Sequence, residues 1–303
     1  DMTKTKVLNT GAIGTVGKSL VQNLLNKGYD VACLSRTVSK DSEVETFKWD
    51  IHQKQIDPNC INGVDVIVHL AGAGIADSRW TDERKHEIIE SRTASIGLIY
   101  DLLKTKPHQV KRIVSASAAG YYSDRGDDLM KEEDLPAADF LGECCVLWEK
   151  AVDEGLALGL SVVKFRTGII LDKNSGALQK LAAPIKLGFG AALGTGKQWM
   201  PWIHLQDVVN MYLMGISNLS LNGVYNMSAP NPVTNAQLTQ AVAKQLKKPL
   251  WLPNVPAFVL NLAFGEMGAV VLGSTKMSTQ KIEQTGFKFL FPTIALALKD
   301  IYA

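Results

Sequence analysis

Short runs of β-branched and aliphatic residues alternate along the first half of the chain with longer stretches whose apolar positions recur every three or four residues. The runs predict strands at 6–10, 30–34, 46–49, 65–70, 111–117 and 161–166. The longer periodicity predicts helices at Thr15–Lys27, Arg79–Lys104 and Asp139–Leu158. Val66-Ile67-Val68 and Val162-Val163 lack polar alternation, as strands covered by helices on both faces must. The expected fold is therefore α/β, a doubly wound parallel sheet. After Arg166 the pattern changes. Helices are predicted at Ser175–Leu187 and Leu205–Ile216, a glycine-rich loop at Gly188–Gly196, a strand at Val224–Met227, and a mostly helical tail from Pro249. The predicted division is a sheet domain over 1–168, able to receive an extra strand from 223–227, and a smaller lobe over 169–303 with a helical subdomain at 249–303.

Composition narrows the choice of partner. At 303 residues, 46% hydrophobic and 20% charged, the chain buries a large core, which excludes a long disordered protein. A net charge of +2 gives no broad field for nucleic acid or an anionic membrane, so a small-molecule substrate is the expected partner. Cys33, Cys60, Cys144 and Cys145 lack the spacing of a metal site, so no metal is expected. They read as buried thiols of a reducing compartment. The apolar stretch 255–273 is interrupted by Asn261 and Glu266, and residues 2–6 run directly into a strand without a signal-peptide pattern. A cytoplasmic protein is expected.

The candidate chemistry begins at the first strand, which leads into Gly11-Ala12-Ile13-Gly14-Thr15-Val16-Gly17 and then a helix. In that context the first glycine permits a tight turn, the second lets backbone approach a pyrophosphate, and the third lets helix and strand pack closely. The second strand ends at Ser35-Arg36, with Lys40 nearby, where an NAD-preferring fold places a carboxylate for the ribose hydroxyl. A guanidinium pairs with a 2′-phosphate instead, which favours NADP. The fourth strand ends in Ala71-Gly72-Ala73-Gly74, a second close-approach turn.

Together these motifs resemble the extended short-chain dehydrogenase/reductase superfamily, also called the NAD-dependent epimerase/dehydratase family. The residues that carry the resemblance are Thr10 to Gly17, His69-Leu70-Ala71-Gly72 and Ser115-Ala116-Ser117-Ala118-Ala119-Gly120-Tyr121-Tyr122. Ser35-Arg36, Ser91-Arg92, Trp148-Glu149, Gly194 to Gln198, Pro201 to Asp207 and the helical C-terminal tail are similar to a subgroup known as epimerase family proteins. Ile13 departs from the Thr or Ser usual at its place. The resemblance implies a Rossmann-type fold and bound NADP, with the pyrophosphate on Gly11, Gly14, Thr15, Val16 and Gly17. It also implies the 2′-phosphate on Ser35 and Arg36, and further cofactor contacts from Leu70, Ala71, Gly72, Glu87 and Arg92. A homodimer is a superfamily expectation.

Catalysis in this superfamily uses a serine after the fifth strand and a Tyr-x-x-x-Lys pair on the next helix, the ammonium lowering the pKa of the phenol. Ser117 fills the serine position. Aligning the next helix on Glu149 puts Leu141 at the tyrosine and Cys145 at the lysine, so the relay is missing. Tyr121 and Tyr122 are candidates to supply a hydroxyl in its place, or else form an aromatic cleft wall. Arg79, Trp80, Trp202 and His204 are candidate substrate-lining residues, His204 being either an acid–base group or a structural hydrogen bonder. Asp207 is explained by its place at a helix start. Two functions are expected in turn. The first is an NADP(H)-binding oxidoreductase or epimerase-like enzyme acting by hydride transfer on a small polar or sugar-type substrate. The second is a non-catalytic NADPH-binding regulatory or scaffold protein.

Overall fold

The structure, a computed structural model, describes residues 4–38, 43–70, 72, 74–174 and 176–303. Its first half builds β1 (Lys6–Asn9), α1 (Thr15–Asn26), β2 (Asp30–Ser35), β3 (Glu45–Asp50), β4 (Gln55–Ile56), β5 (Val66–His69), α2 (Asp82–Thr105) and β6 (Arg112–Ala118). Then follow β7 (Leu129–Met130), α3 (Phe140–Asp153), β8 (Ser161–Thr167), β9 (Ile169–Leu171), α4 (Gly176–Lys186), β10 (Trp199–Met200), β11 (Trp202–His204) and α5 (Leu205–Ser217). The remainder is β12 (Gly223–Met227), β13 (Val233–Thr234), α6 (Asn235–Leu246), α7 (Ala257–Phe264), α8 (Ala269–Leu272), β14 (Lys276–Met277), α9 (Gln280–Gln284) and α10 (Ile294–Ile301).

The large sheet runs β12-β8-β6-β5-β1-β2-β3-β4. Every pairing in it is parallel except that of β4 with β3. Both faces are buried because successive side chains point opposite ways. Val7, Val31, Cys33, Val66 and Val68 join α1 and α5 in one core, while Leu8, Ala32, Leu34 and Ile67 join α2 and Trp148 of α3 in the other. The chain starts at the centre of the sheet, builds outward to β3, and crosses back past β1 to β5. The carboxyl ends of β1 and β5 therefore flank the point where the winding reverses, the place where open sheets of this kind bind ligands.

β12 pairs with β8 and closes the sheet edge with a strand from beyond residue 168. The rest of the lobe has its own core, in which Leu178, Ile185, Leu238, Val242, Leu298 and Trp202 meet between α4, α6 and α10. The predicted elements stand with small shifts. α2 starts at Asp82 rather than Arg79, because the Thr81 hydroxyl accepts from the Arg84 amide and caps the helix there. The predicted helix 139–158 is α-helical only to Asp153 and finishes as a tighter 3-10 turn. Among the described residues, no helix is long and apolar enough to cross a membrane.

Candidate functional site

The site grows from the end of β1. Asn9 is fully buried; its side-chain oxygen accepts from the Gly11 amide at 2.8 Å, and its amide group donates to the Gly17 carbonyl at 3.3 Å. One side chain thus holds both ends of the glycine turn. A Cβ on Gly17 would lie 1.6 Å from the Gly11 carbonyl oxygen, which is why only glycine serves there. At Gly14 the nearest protein atom to such a Cβ is that same oxygen at 3.6 Å, so the protein itself leaves room. Gly14 is also the N-cap of α1, with no side chain capping the helix and no acid in its first turn. An uncapped helix start behind an exposed glycine fits a pyrophosphate.

The second cofactor position also fits. Ser35 is buried at the end of β2, its hydroxyl 3.4 Å from the Thr37 amide, and Arg36 beside it is exposed and unpaired among the described residues. Lys40 and Ala71 lie outside the described residues. Leu70 follows β5, with its amide donating to the Thr10 hydroxyl at 2.9 Å. Gly72 faces the Arg92 side chain, since a Cβ there would come within 3.1 Å of the guanidinium carbon. Glu87 is exposed and holds Arg84 at 3.0 Å, and Arg84 in turn donates to the Gly74 carbonyl at 2.6 Å. Glu87 therefore braces the second turn through Arg84, a residue the sequence did not single out.

Beside these turns is a cleft of about 280 Å³ between the sheet and the lobe. Ala118, Gly120, Leu141, Cys145 and Trp148 form one wall, and Ile169, Met200, Pro201, Ala269 and Val270 the other. Leu141 and Cys145, at the places of the phenol and the ammonium, do face the cleft. Arg92 lines it too, stacked 4.8 Å over the Trp148 ring. Among the described residues, the cleft's only other titratable side chains are Cys144 and Cys145, and burial pushes both thiols up. No cleft side chain among the described residues is an acid or base near neutrality.

The expected catalytic residues are occupied elsewhere. Ser117 is buried, and its hydroxyl donates to Glu149 Oε2 at 2.6 Å. Arg166 grips the same carboxylate with Nε and Nη2, each at 3.0 Å. Its Nη1 donates at 3.0 Å to the Tyr122 hydroxyl, which donates to Asn226 Oδ1 at 2.6 Å. Tyr122 is fully buried, and burial pushes its phenol above the usual range. Tyr121 lies half-buried with the Arg166 guanidinium 3.4 Å from its ring centroid. The three form a structural network behind the cleft wall, and none of them lines the cleft.

Two substrate-lining expectations are corrected in the same way. Trp202 is fully buried in the lobe core, its indole N–H donating to the Asn231 carbonyl. His204 is the N-cap of α5: Nδ1 accepts from the Gln206 amide at 2.9 Å, Nε2 pairs with Asp300 at 2.8 Å, and the ring stacks on Phe291. It is a structural hydrogen bonder. Trp80 donates to the Ile75 carbonyl and packs edge-on to Phe140, while exposed Arg79 sits beside Gly265. Asp207 accepts from the Leu290 and Phe291 amides and so anchors the C-terminal segment.

Comparison with known proteins agrees with this geometry. Residues 7–142 match the model of the NAD dependent epimerase/dehydratase family, and residues 255–301 match a domain of unknown function, DUF1731. The chain is 34% identical over 302 residues to a chloroplastic epimerase family protein SDR39U1 homolog of Arabidopsis thaliana, covering 96% of this chain and 85% of the relative. It is 33% identical over 303 residues to an epimerase family protein of Staphylococcus aureus, covering 97% and 98%. The crystal structure of human epimerase family protein SDR39U1 with NADPH superimposes with a TM-score of 0.86 at 26% identity, covering 98% of this chain and 99% of that one. With the glycine turn, the sheet order and the C-terminal domain in place, the chain belongs to the NAD-dependent epimerase/dehydratase family, whose members bind NAD(P), within its group of epimerase family proteins.

Proposed function

We propose that this protein is an NADP(H)-dependent oxidoreductase whose cleft takes a small, uncharged and largely apolar carbonyl compound or the corresponding alcohol. The observation that carries the reading is a formed cleft of about 280 Å³, lined chiefly by apolar side chains, next to a glycine cradle that a pyrophosphate fits. When bound, NADP(H) supplies or accepts a hydride at its nicotinamide. Gly11 to Gly17 hold the pyrophosphate against the start of α1, and Ser35 with Arg36 holds the 2′-phosphate. NADPH in the related human structure supports that choice over NAD. Leu141, Cys145, Met200 and Val270 would set an apolar wall beside the nicotinamide while the mouth of the cleft stays open to solvent. With no side-chain relay, the proton that accompanies reduction of a carbonyl comes from water. The apolar lining favours a less polar substrate than the sugar type that the sequence implied.

A second reading has its own observation. Ser117 and Tyr122 are consumed in a buried network, as in a protein that binds NADPH for regulation or as a scaffold without turning it over. The test is a fluorescence titration with NADPH, followed by absorbance of the reduced cofactor against apolar aldehydes, ketones and quinones, and against nucleotide sugars. Oxidation by an apolar carbonyl is expected. Tight binding with silence across the panel favours the second reading, turnover confined to nucleotide sugars overturns the substrate class, and failure to bind NADPH overturns both readings.

A further inference from the structure

A near-zero net charge argues against a membrane partner only if charge is spread evenly, and here it is not. Residues 173–265 contain seven lysines, no arginine and one acid, Asp207. All seven lysines are exposed and Asp207 is buried. The solvent-facing charge of this 93-residue segment is therefore wholly positive, and the rest of the chain carries the compensating negative charge.

Part of that charge converges on one spot. α4 ends at Lys186 and α6 at Leu246, followed by Lys247 and Lys248. The two ends are tied together: Trp251 Nε1 donates to the Gly188 carbonyl at 2.9 Å, its ring lies 6.5 Å from Phe189, and Leu250 packs against Gly190. Between the lysines stand three large apolar side chains facing solvent, Leu187 at 76%, Phe189 at 60% and Trp251 at 65% exposure. The chain then runs into α7, where Phe258 and Leu262 are equally exposed. Lysine at a helix end is explained by the helix dipole alone. The dipole does not explain an exposed Leu-Phe-Trp cluster beside it, nor Lys247 in the left-handed conformation at φ +56°, where glycine is the usual residue.

We propose that this edge of the lobe docks on an anionic lipid bilayer, with Leu187, Phe189 and Trp251 entering the headgroup region and Lys186, Lys247 and Lys248 pairing with lipid phosphates. Tryptophan and phenylalanine flanked by lysine is the side-chain chemistry of interfacial anchoring. A second copy fits less well, since a two-fold contact through this patch sets Lys247 and Lys248 against their own counterparts. Nucleic acid fits less well too, because the segment has no arginine for bidentate phosphate contacts and the exposed aliphatic bulk of Leu187 and Leu262 beside the aromatic rings suits acyl chains rather than bases.

The test is flotation of the full chain with phosphatidylcholine vesicles, with and without phosphatidylglycerol, at low and high salt. Binding to the anionic vesicles at low salt is expected, weakened at least about tenfold by Lys186→Glu with Lys248→Glu, and likewise by Phe189→Ala with Trp251→Ala. Unchanged NADPH affinity in both variants confirms that they fold. Any of four results overturns the proposal: no binding to anionic vesicles, equal binding to neutral ones, equal binding by the charge-reversed variant, or a dimer by light scattering that these variants dissolve. Tighter binding to a single-stranded oligonucleotide than to the vesicles also overturns it, in favour of nucleic acid.

Discussion

Ser117 gives its hydroxyl hydrogen to Glu149 Oε2 at 2.6 Å, reaching from the end of β6 to a carboxylate on α3 that Arg166 also holds. The position that a superfamily member uses on its substrate is here used to hydrogen-bond and orient the carboxylate of a buried ion pair. Ser117→Ala removes one charge-assisted hydrogen bond and is expected to cost about 1.5–3 kcal/mol, with NADPH affinity unchanged. Glu149→Gln strands the Arg166 guanidinium, whose side chain is 4% exposed, and is expected to cost about 3–5 kcal/mol. Urea unfolding checks both. A Ser117→Ala variant of full stability but altered cofactor binding would return the serine to the active cleft.

The last two glycines of the turn separate folding from binding. Gly17→Ala drives a Cβ to 1.6 Å from backbone that Asn9 holds in place, so loss of the native fold is expected. Gly14→Ala meets only one oxygen at ordinary contact distance, so stability should stay within about 1 kcal/mol of wild type. The methyl group then occupies the space a pyrophosphate needs, and NADPH affinity should fall tenfold or more, about 1.4 kcal/mol. Thermal unfolding with a cofactor titration distinguishes the two variants. Undiminished affinity in Gly14→Ala would place the cofactor elsewhere.

Arg36 is the residue on which the preference between NADP and NAD rests. Arg36→Asp exchanges a group that pairs with a 2′-phosphate for one that repels it and accepts from a ribose hydroxyl. The ratio of NADPH to NADH affinity should fall by at least about a hundredfold, two charge-assisted contacts being lost. Because Arg36 is exposed, stability should not move. Competitive titration of the two cofactors gives the ratio directly, and an unchanged ratio removes Arg36 from the site.

What the sequence makes legible follows the range of the physics involved. The glycine turn is local: a backbone reversal into a helix demands glycine at fixed spacing, and Gly11, Gly14 and Gly17 declare it. The sheet is legible because residues such as Val66, Ile67 and Val68 are apolar on both faces. α6 was legible in principle, since Thr234 and Gln237 form a capping box, yet its polar face hid its period. The Ser117–Glu149–Arg166 network could not be read, because its members lie on three separate elements and only the pairing of β6 with β8 and the packing of α3 bring them together. Trp202 and His204 show the same limit: an aromatic or imidazole side chain reads alike whether it lines a cleft or fills a core.

His69 extends the account to pH. Its ring lies fully buried at the end of β5, 3.0 Å from the Ser115 hydroxyl and 2.7 Å from that of Ser95. Burial, reinforced by the nearby Arg92 charge, lowers its pKa from 6.5 to about 3. The unfolded chain therefore takes up a proton below pH 6.5 that the folded chain refuses until about pH 3, so this group costs stability as pH falls through that window. Each unit below 6.5 removes about 1.4 kcal/mol, or roughly 2 kcal/mol between pH 7 and pH 5 from this ring alone. His69→Asn should be less stable at pH 7, having lost a hydrogen bond to Ser95 or Ser115, yet its stability should decline less steeply on acidification. Urea unfolding of both proteins across that range measures the difference in slope. Parallel slopes would mean that the ring gains its proton in the folded protein as readily as in the unfolded chain, and that its link between β5, β6 and α2 does not depend on a neutral imidazole.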